Sequence, residues 1–176
     1  MGDLKIHVEQ NSSNAMEALG NGATDGLKLA ANVGAMLVAF ISIVALVNYL
    51  LSFAGTSMDA ILAIVFKPLA WTMGVPWEEA GQMGMLMGKK IVFTELIAYG
   101  DLKDIIAEGQ ISERTAIIAS YALCGFANFG SIGIQLGGIG AMAPERKKDL
   151  AKLVTKAMVG GALASWLTAT VAGILI

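Results

Sequence analysis

The chain has 176 residues, 56% hydrophobic and only 15% charged, with mean hydropathy +0.67 and 21 glycines against 3 prolines. Soluble domains carry about 25% charged residues, so this composition argues for a helical membrane protein of several spans. A net charge of -2 without a clustered basic face excludes a nucleic-acid reader, and one cysteine, Cys124, excludes an internal disulfide and, with lone His7, makes no metal site.

Residues 1–28 read as a polar leader or linker, with GNGATDG near its end and at most a short helix around Ala15 to Leu19. His7 is expected to be a solvated side chain of this leader. From Leu29 to Met58 no residue is charged, and a first transmembrane span is expected over 29–54. Within it Gly34, Ala35 and Ala39 suit close helix contacts, while Asn32 and Asn48 are expected to hydrogen-bond to neighbouring elements. Residues 59–75 hold apolar runs too short to cross, with Trp71 and Trp77 suited to the headgroup boundary, so an interfacial helix is expected there.

Residues 78–104 contain two half-length apolar pieces on either side of Lys89 and Lys90, the pattern of a re-entrant helical hairpin. Glu95 stands in the second piece among Val92, Phe93, Leu96 and Ile97. An ionisable group in such surroundings is costly unless it meets a partner, a cavity or a substrate, although a surface helix would leave it in water.

From Thr115 to Pro144 the chain is again free of charge, long enough to cross a bilayer, yet its middle reads GFANFGS. Glycine, asparagine and serine weaken a helix and bring hydrogen-bonding groups where lipid has none. Broken backbone at membrane depth is tolerated only against protein or a polar cavity. A broken span over 115–141 is therefore expected, with room for a polar solute at the break. The basic loop PERKKDLAK follows and places itself in the cytoplasm. A last span is expected over 152–176. The broken span then enters from outside, and the hairpin dips in from the outer side. No Ser/His or Cys/His pair lies at membrane depth, so no enzyme is expected.

The stretches VGAMLVAFISIVALVNYLL, GVPWEEA, GKKIVFTELIAYGDL and ALCGFANFGSIGIQLGGIGAMAPERKKDLAK, in this order and spacing, resemble the C-terminal half of the concentrative nucleoside transporters. The resemblance runs from about Gly26 to the C-terminus. It implies an all-α membrane protein, with three transmembrane helices, a re-entrant helical hairpin and an interfacial helix, forming half of an inverted-repeat transporter. It further implies cation-coupled nucleoside symport in a bacterial inner membrane, with residues 29–176 as the nucleoside transporter C-terminal domain.

By the same resemblance Glu95 falls on the family's hairpin glutamate that binds ribose hydroxyls, Phe126 packs against the nucleoside, and Asn128 and Ser131 hydrogen-bond the sugar. Such groups can pair with vicinal hydroxyls in a dry pocket. Thr94 and Leu96 stand where the family commonly has Asn and Phe, and Gly130 where it often has a small polar residue. The family's base-reading first hairpin and its site for the coupling ion, Na+ or H+, have no counterpart in the chain. The missing N-terminal half of the transporter is the expected partner, with a homotrimer as the assembly and no cofactor in the chain itself. A small structural or regulatory membrane protein, its polar breaks serving only helix packing, is the alternative.

Overall fold

The computed structural model describes residues 12–142 and 144–176, all of the regular structure among them being helical. His7 and the side chain of Asn32 lie outside the described residues. Helix α1 spans Ala15–Ser52, α2 Met58–Thr72, α3 Ala80–Val92, α4 Glu95–Ala107, α5 Glu113–Leu123, α6 Phe129–Met142 and α7 Lys147–Leu175. A short 3-10 turn, Pro144–Arg146, joins the last two.

Helix α1 begins at Ala15, inside the 1–28 stretch read as a leader, and runs without a break into the residues expected to span. The cause is a strong start signal. Asn14 accepts a hydrogen bond from the Glu17 N–H at 2.9 Å, and the Ser13 hydroxyl and N–H both donate to the Glu17 carboxylate, at 2.5 and 2.7 Å. This reciprocal cap satisfies orphan donors of the first turn and holds the Glu17 carboxyl below its ordinary pKa, the Ser13 hydroxyl contributing most. At the other end of α1 the Asn48 side chain accepts from the Met58 N–H at 2.7 Å, tying α1 to the first turn of α2. The expectation that Asn48 joins neighbouring elements thus has a specific partner, a backbone donor.

Helix α2 continues through Pro68 to Thr72 and is followed at Gly74 by a φ of +93°, which only glycine adopts without strain. It packs antiparallel on α3 at unusually short range. A Cβ at Gly84 would lie 2.8 Å from the Ala63 carbonyl, and one at Gly88 would lie 2.6 Å from Leu62 Cβ. The two glycines, four apart on one face, let the helix backbones approach as small residues do in membrane helix pairs. Lys89 then joins three elements, pairing with Asp59 of α2 at 2.9 Å and Asp101 of α4 at 2.6 Å.

Helices α3 and α4 form an antiparallel hairpin, since Gln82 meets Gln110 while Lys89 meets Asp101. Beside it α5 runs parallel to α3, and α7 runs antiparallel to α5 and α6. The Arg114 side chain, at the start of α5, donates to the carbonyls of Gly173 in the last turn of α7, at 2.5 Å, and of Ile176 just beyond it. One core fills the space between these helices, with Met83, Leu86, Met87, Ile118, Leu123 and Ala169 fully enclosed. Large apolar side chains point outward along α1 and α7, among them Leu46, Leu50, Leu167, Val171 and Ile174, each more than half exposed. Among the described residues α7 is long and apolar enough by itself to cross a membrane.

Candidate functional site

Two interruptions face each other. The first separates α3 from α4. Phe93 has φ and ψ both near -104° and Thr94 is extended, so the chain reverses and Glu95 opens the first turn of α4. A carboxylate in a first helical turn meets the unpaired N–H groups and the positive end of the helix dipole. The second interruption covers residues 124–128, between α5 and α6, within the GFANFGS stretch where a break was expected. Cys124 is extended, and Gly125 has φ +110°.

Asn128 restarts the helix. Its side-chain oxygen accepts from the Ser131 N–H at 2.8 Å, while the Ser131 hydroxyl donates to the Asn128 carbonyl at 2.6 Å. Both residues are buried, at 0% and 1% exposure. The other end of the Asn128 amide donates to Glu95 Oε2 at 3.0 Å. One side chain therefore caps α6 and reaches the hairpin carboxylate. Two helix N-termini, those of α4 and α6, converge on this pair.

Of the four residues singled out from the sequence, Glu95, Asn128 and Ser131 are drawn together. Ser131 lies beneath Asn128 with its hydroxyl engaged by backbone. Phe126 stands in the unwound segment and is 53% exposed, an aromatic face free to stack. Glu95 is half-buried, so its carboxylate is held without being sealed off. Chemically, the place offers a carboxylate acceptor, an amide and an exposed ring, the donor and acceptor set that fits a polyhydroxylated ring carrying a flat group.

Sequence reasoning missed Lys90. Its side chain is fully buried and its ammonium donates to the carbonyls of Ala122, in the last turn of α5, at 3.0 Å, and of Cys124, just past it, at 3.3 Å. The signal was present as a lysine in an apolar helix, where an ionisable group needs a partner. The partners are backbone carbonyls, which leave no mark in a sequence. Ser165 of α7 was missed as well, and it closes the other side of the break, its hydroxyl oxygen 2.7 Å from where a Cβ at Gly125 would stand.

The model of a family described as the C-terminus of Na+ dependent nucleoside transporters matches residues 2–173. Among curated proteins, the chain is 44% identical over 181 residues to an uncharacterized transporter, YutK, of Bacillus subtilis, covering 99% of the chain and 44% of that protein. It is 40% identical to the nucleoside permease NupC of Helicobacter pylori, covering 93% of the chain and 41% of the permease. Against the sodium/nucleoside cotransporter 2 of Rattus norvegicus it is 41% identical, over 92% of the chain and 28% of that protein. The chain thus spans less than half the length of these relatives, which are named as transporters and not as enzymes.

Solved structures agree. A variant of CNTnw in an intermediate state superposes with a TM-score of 0.87 at 40% identity, over 96% of this chain and 44% of that one. CNTnw in an inward-facing, substrate-bound state gives 0.80 at 41% identity, over 97% and 42%.

Proposed function

Since the chain belongs to the Na+ dependent nucleoside transporter family, matching its C-terminal region, we propose that it supplies the sugar-binding part of a nucleoside site in a multi-pass membrane symporter. The observation that carries the reading is the 3.0 Å hydrogen bond between Asn128 and Glu95, across two helix breaks thirty-three residues apart. Groups that already bond each other at a half-open site are placed to exchange that bond for a ligand's hydroxyls. Glu95 accepts from vicinal hydroxyls, Asn128 donates to and accepts from the sugar, Phe126 stacks on the flat part, and Ser131 holds Asn128 in place and completes the polar lining.

In this reading α1, the α5–α6 segment and α7 cross the bilayer, α3 and α4 form a re-entrant hairpin, and α2 lies at the interface. The outward apolar side chains of α1 and α7 support it, because they need lipid or further protein around them. Base recognition comes from the other half of the transporter, and three copies assemble in the membrane. The family's description names sodium. Of the oxygen donors that such an ion takes, the Ala122 and Cys124 carbonyls are already engaged by Lys90.

The test is uptake of labelled uridine by cells expressing the transporter that carries this chain. Glu95→Ala removes a charged hydrogen-bond acceptor and is expected to lower kcat/KM by about 10- to 100-fold. Unchanged uptake by this variant, at matched membrane expression, sinks the assignment.

A further inference from the structure

The last carbonyls of a helix have no intrahelical donors, and the end carries about half a negative elementary charge. At membrane depth these groups cannot turn to water. In transporters built on discontinuous helices, unwound carbonyls and half-helix C-termini are the places that coordinate small coupling cations. The end of α5 is such a place, yet its Ala122 and Cys124 carbonyls already receive the Lys90 ammonium. Lys90 comes from α3, an element of the hairpin, and its side chain is wholly enclosed. A buried ammonium demands compensation, and the carbonyl pair provides it.

One side of the turn is closed by α7, while Cys124 and Gly125 are themselves exposed. A Cβ at Gly125 would stand 3.9 Å from Lys90 Nζ and 2.7 Å from the Ser165 hydroxyl oxygen, so α7 packs directly over the turn. We propose that Lys90 is a built-in cation, which fills at the α5–α6 break the position that a coupling ion takes at other helix breaks, so that this half of the transporter binds no coupling ion there. Lys90 and Glu95 then grip opposite ends of the same interruption, one through the Ala122 and Cys124 carbonyls and the other through Asn128. Hairpin and broken segment are coupled at two points, and Lys90 acts as a positioning residue for the sugar-binding pair. Its effect on transport rests on the pocket assignment above, whereas its occupancy of the carbonyls does not.

Crystals of the unaltered transporter carrying this chain, prepared with thallium(I) in place of sodium, test the occupancy without any variant. The expected anomalous map has no peak at the Ala122 and Cys124 carbonyls, and a peak there overturns the proposal. A second arm uses Lys90→Met, which keeps the length of the stem and removes the charge, with Lys90→Arg as the conservative control. Lys90→Met is expected to raise the uridine KM by about 10-fold or more, with recovery in Lys90→Arg. It is also expected to gain a rise in melting temperature with monovalent cation, at constant ionic strength, beyond that of the parent. An unchanged KM, or lowered stability alone without the KM effect, overturns the positioning role. If Lys90→Met does not fold, the thallium map still decides the occupancy. Unaltered uptake by Glu95→Ala would sink the pocket assignment and leave the thallium result standing, so the two failures are distinguishable.

Discussion

Asn128 has two roles that substitution can separate. Its oxygen caps α6 through the Ser131 N–H, and its amino group donates to Glu95. Asn128→Asp keeps an acceptor at a helix N-terminus, where a negative charge is favourable, but sets a second carboxylate against the first. At a pH low enough for the two carboxyls to share a proton, thermal unfolding is expected to stay close to that of the parent while uridine affinity falls. Asn128→Ala loses the cap as well and is expected to cost about 1 kcal/mol of stability in addition. Equal loss of stability in both variants would deny the cap its role. Gly125 makes a different case, because any side chain there is opposed twice, by its φ of +110° and by the Ser165 oxygen, 2.7 Å from the place a methyl group would take. Gly125→Ala is expected to destabilise by about 1–3 kcal/mol, read by unfolding in detergent. Adding Ser165→Ala should recover part of that loss, since it relieves the contact and leaves the backbone strain.

Among the elements, the α2–α3 pair depends on the GMLMG stretch. A methyl group at Gly84 would meet the Ala63 carbonyl at 2.8 Å and the Lys67 nitrogen at 2.9 Å, and backbone cannot yield as a side-chain tip can. Gly84→Ala is expected to cost about 1–3 kcal/mol, whereas Gly81→Ala, which faces open space, should be neutral or gain up to about 1 kcal/mol from helix propensity. Equal effects of the two in a denaturation series would rule out close packing as the cause. The break at 124–128 was legible because Gly125, Asn128, Gly130 and Ser131 interrupt an otherwise apolar run, a local conflict that only an interruption resolves. The pairing of Glu95 with Asn128 came from the resemblance, since no local rule joins residues so far apart. A short helix around Ala15 to Leu19 was allowed for, but not its continuation into α1, because three glycines between residues 20 and 26 read as a break. Packing partners such as Leu62 for Gly88, and Ala122 for Lys90, depend on tertiary approach and leave no periodic trace.

For the whole molecule, the decisive question is how often the chain crosses the bilayer. Each half of the α5–α6 segment is too short to cross alone, so the proposal needs both halves, break included, to make one passage. The turn containing Gln110 and the basic segment containing Lys148 must then lie on opposite sides. In that proposal the excess of lysine and arginine at Arg146, Lys147, Lys148 and Lys152 assigns that end to the cytoplasm. Both Gln110 and Lys148 are exposed, and so is Cys124, which must first be replaced by serine to remove its own reactivity. In that background Gln110→Cys is expected to react with a membrane-impermeant maleimide added to intact cells. Lys148→Cys is expected to react only in inside-out vesicles. Labelling of both positions from the same side would mean that the broken segment returns to the face it entered. The half-helix ends at Ala122 and Asn128 would then no longer form the midpoint of a passage, and a solute bound there would have no second side to leave by.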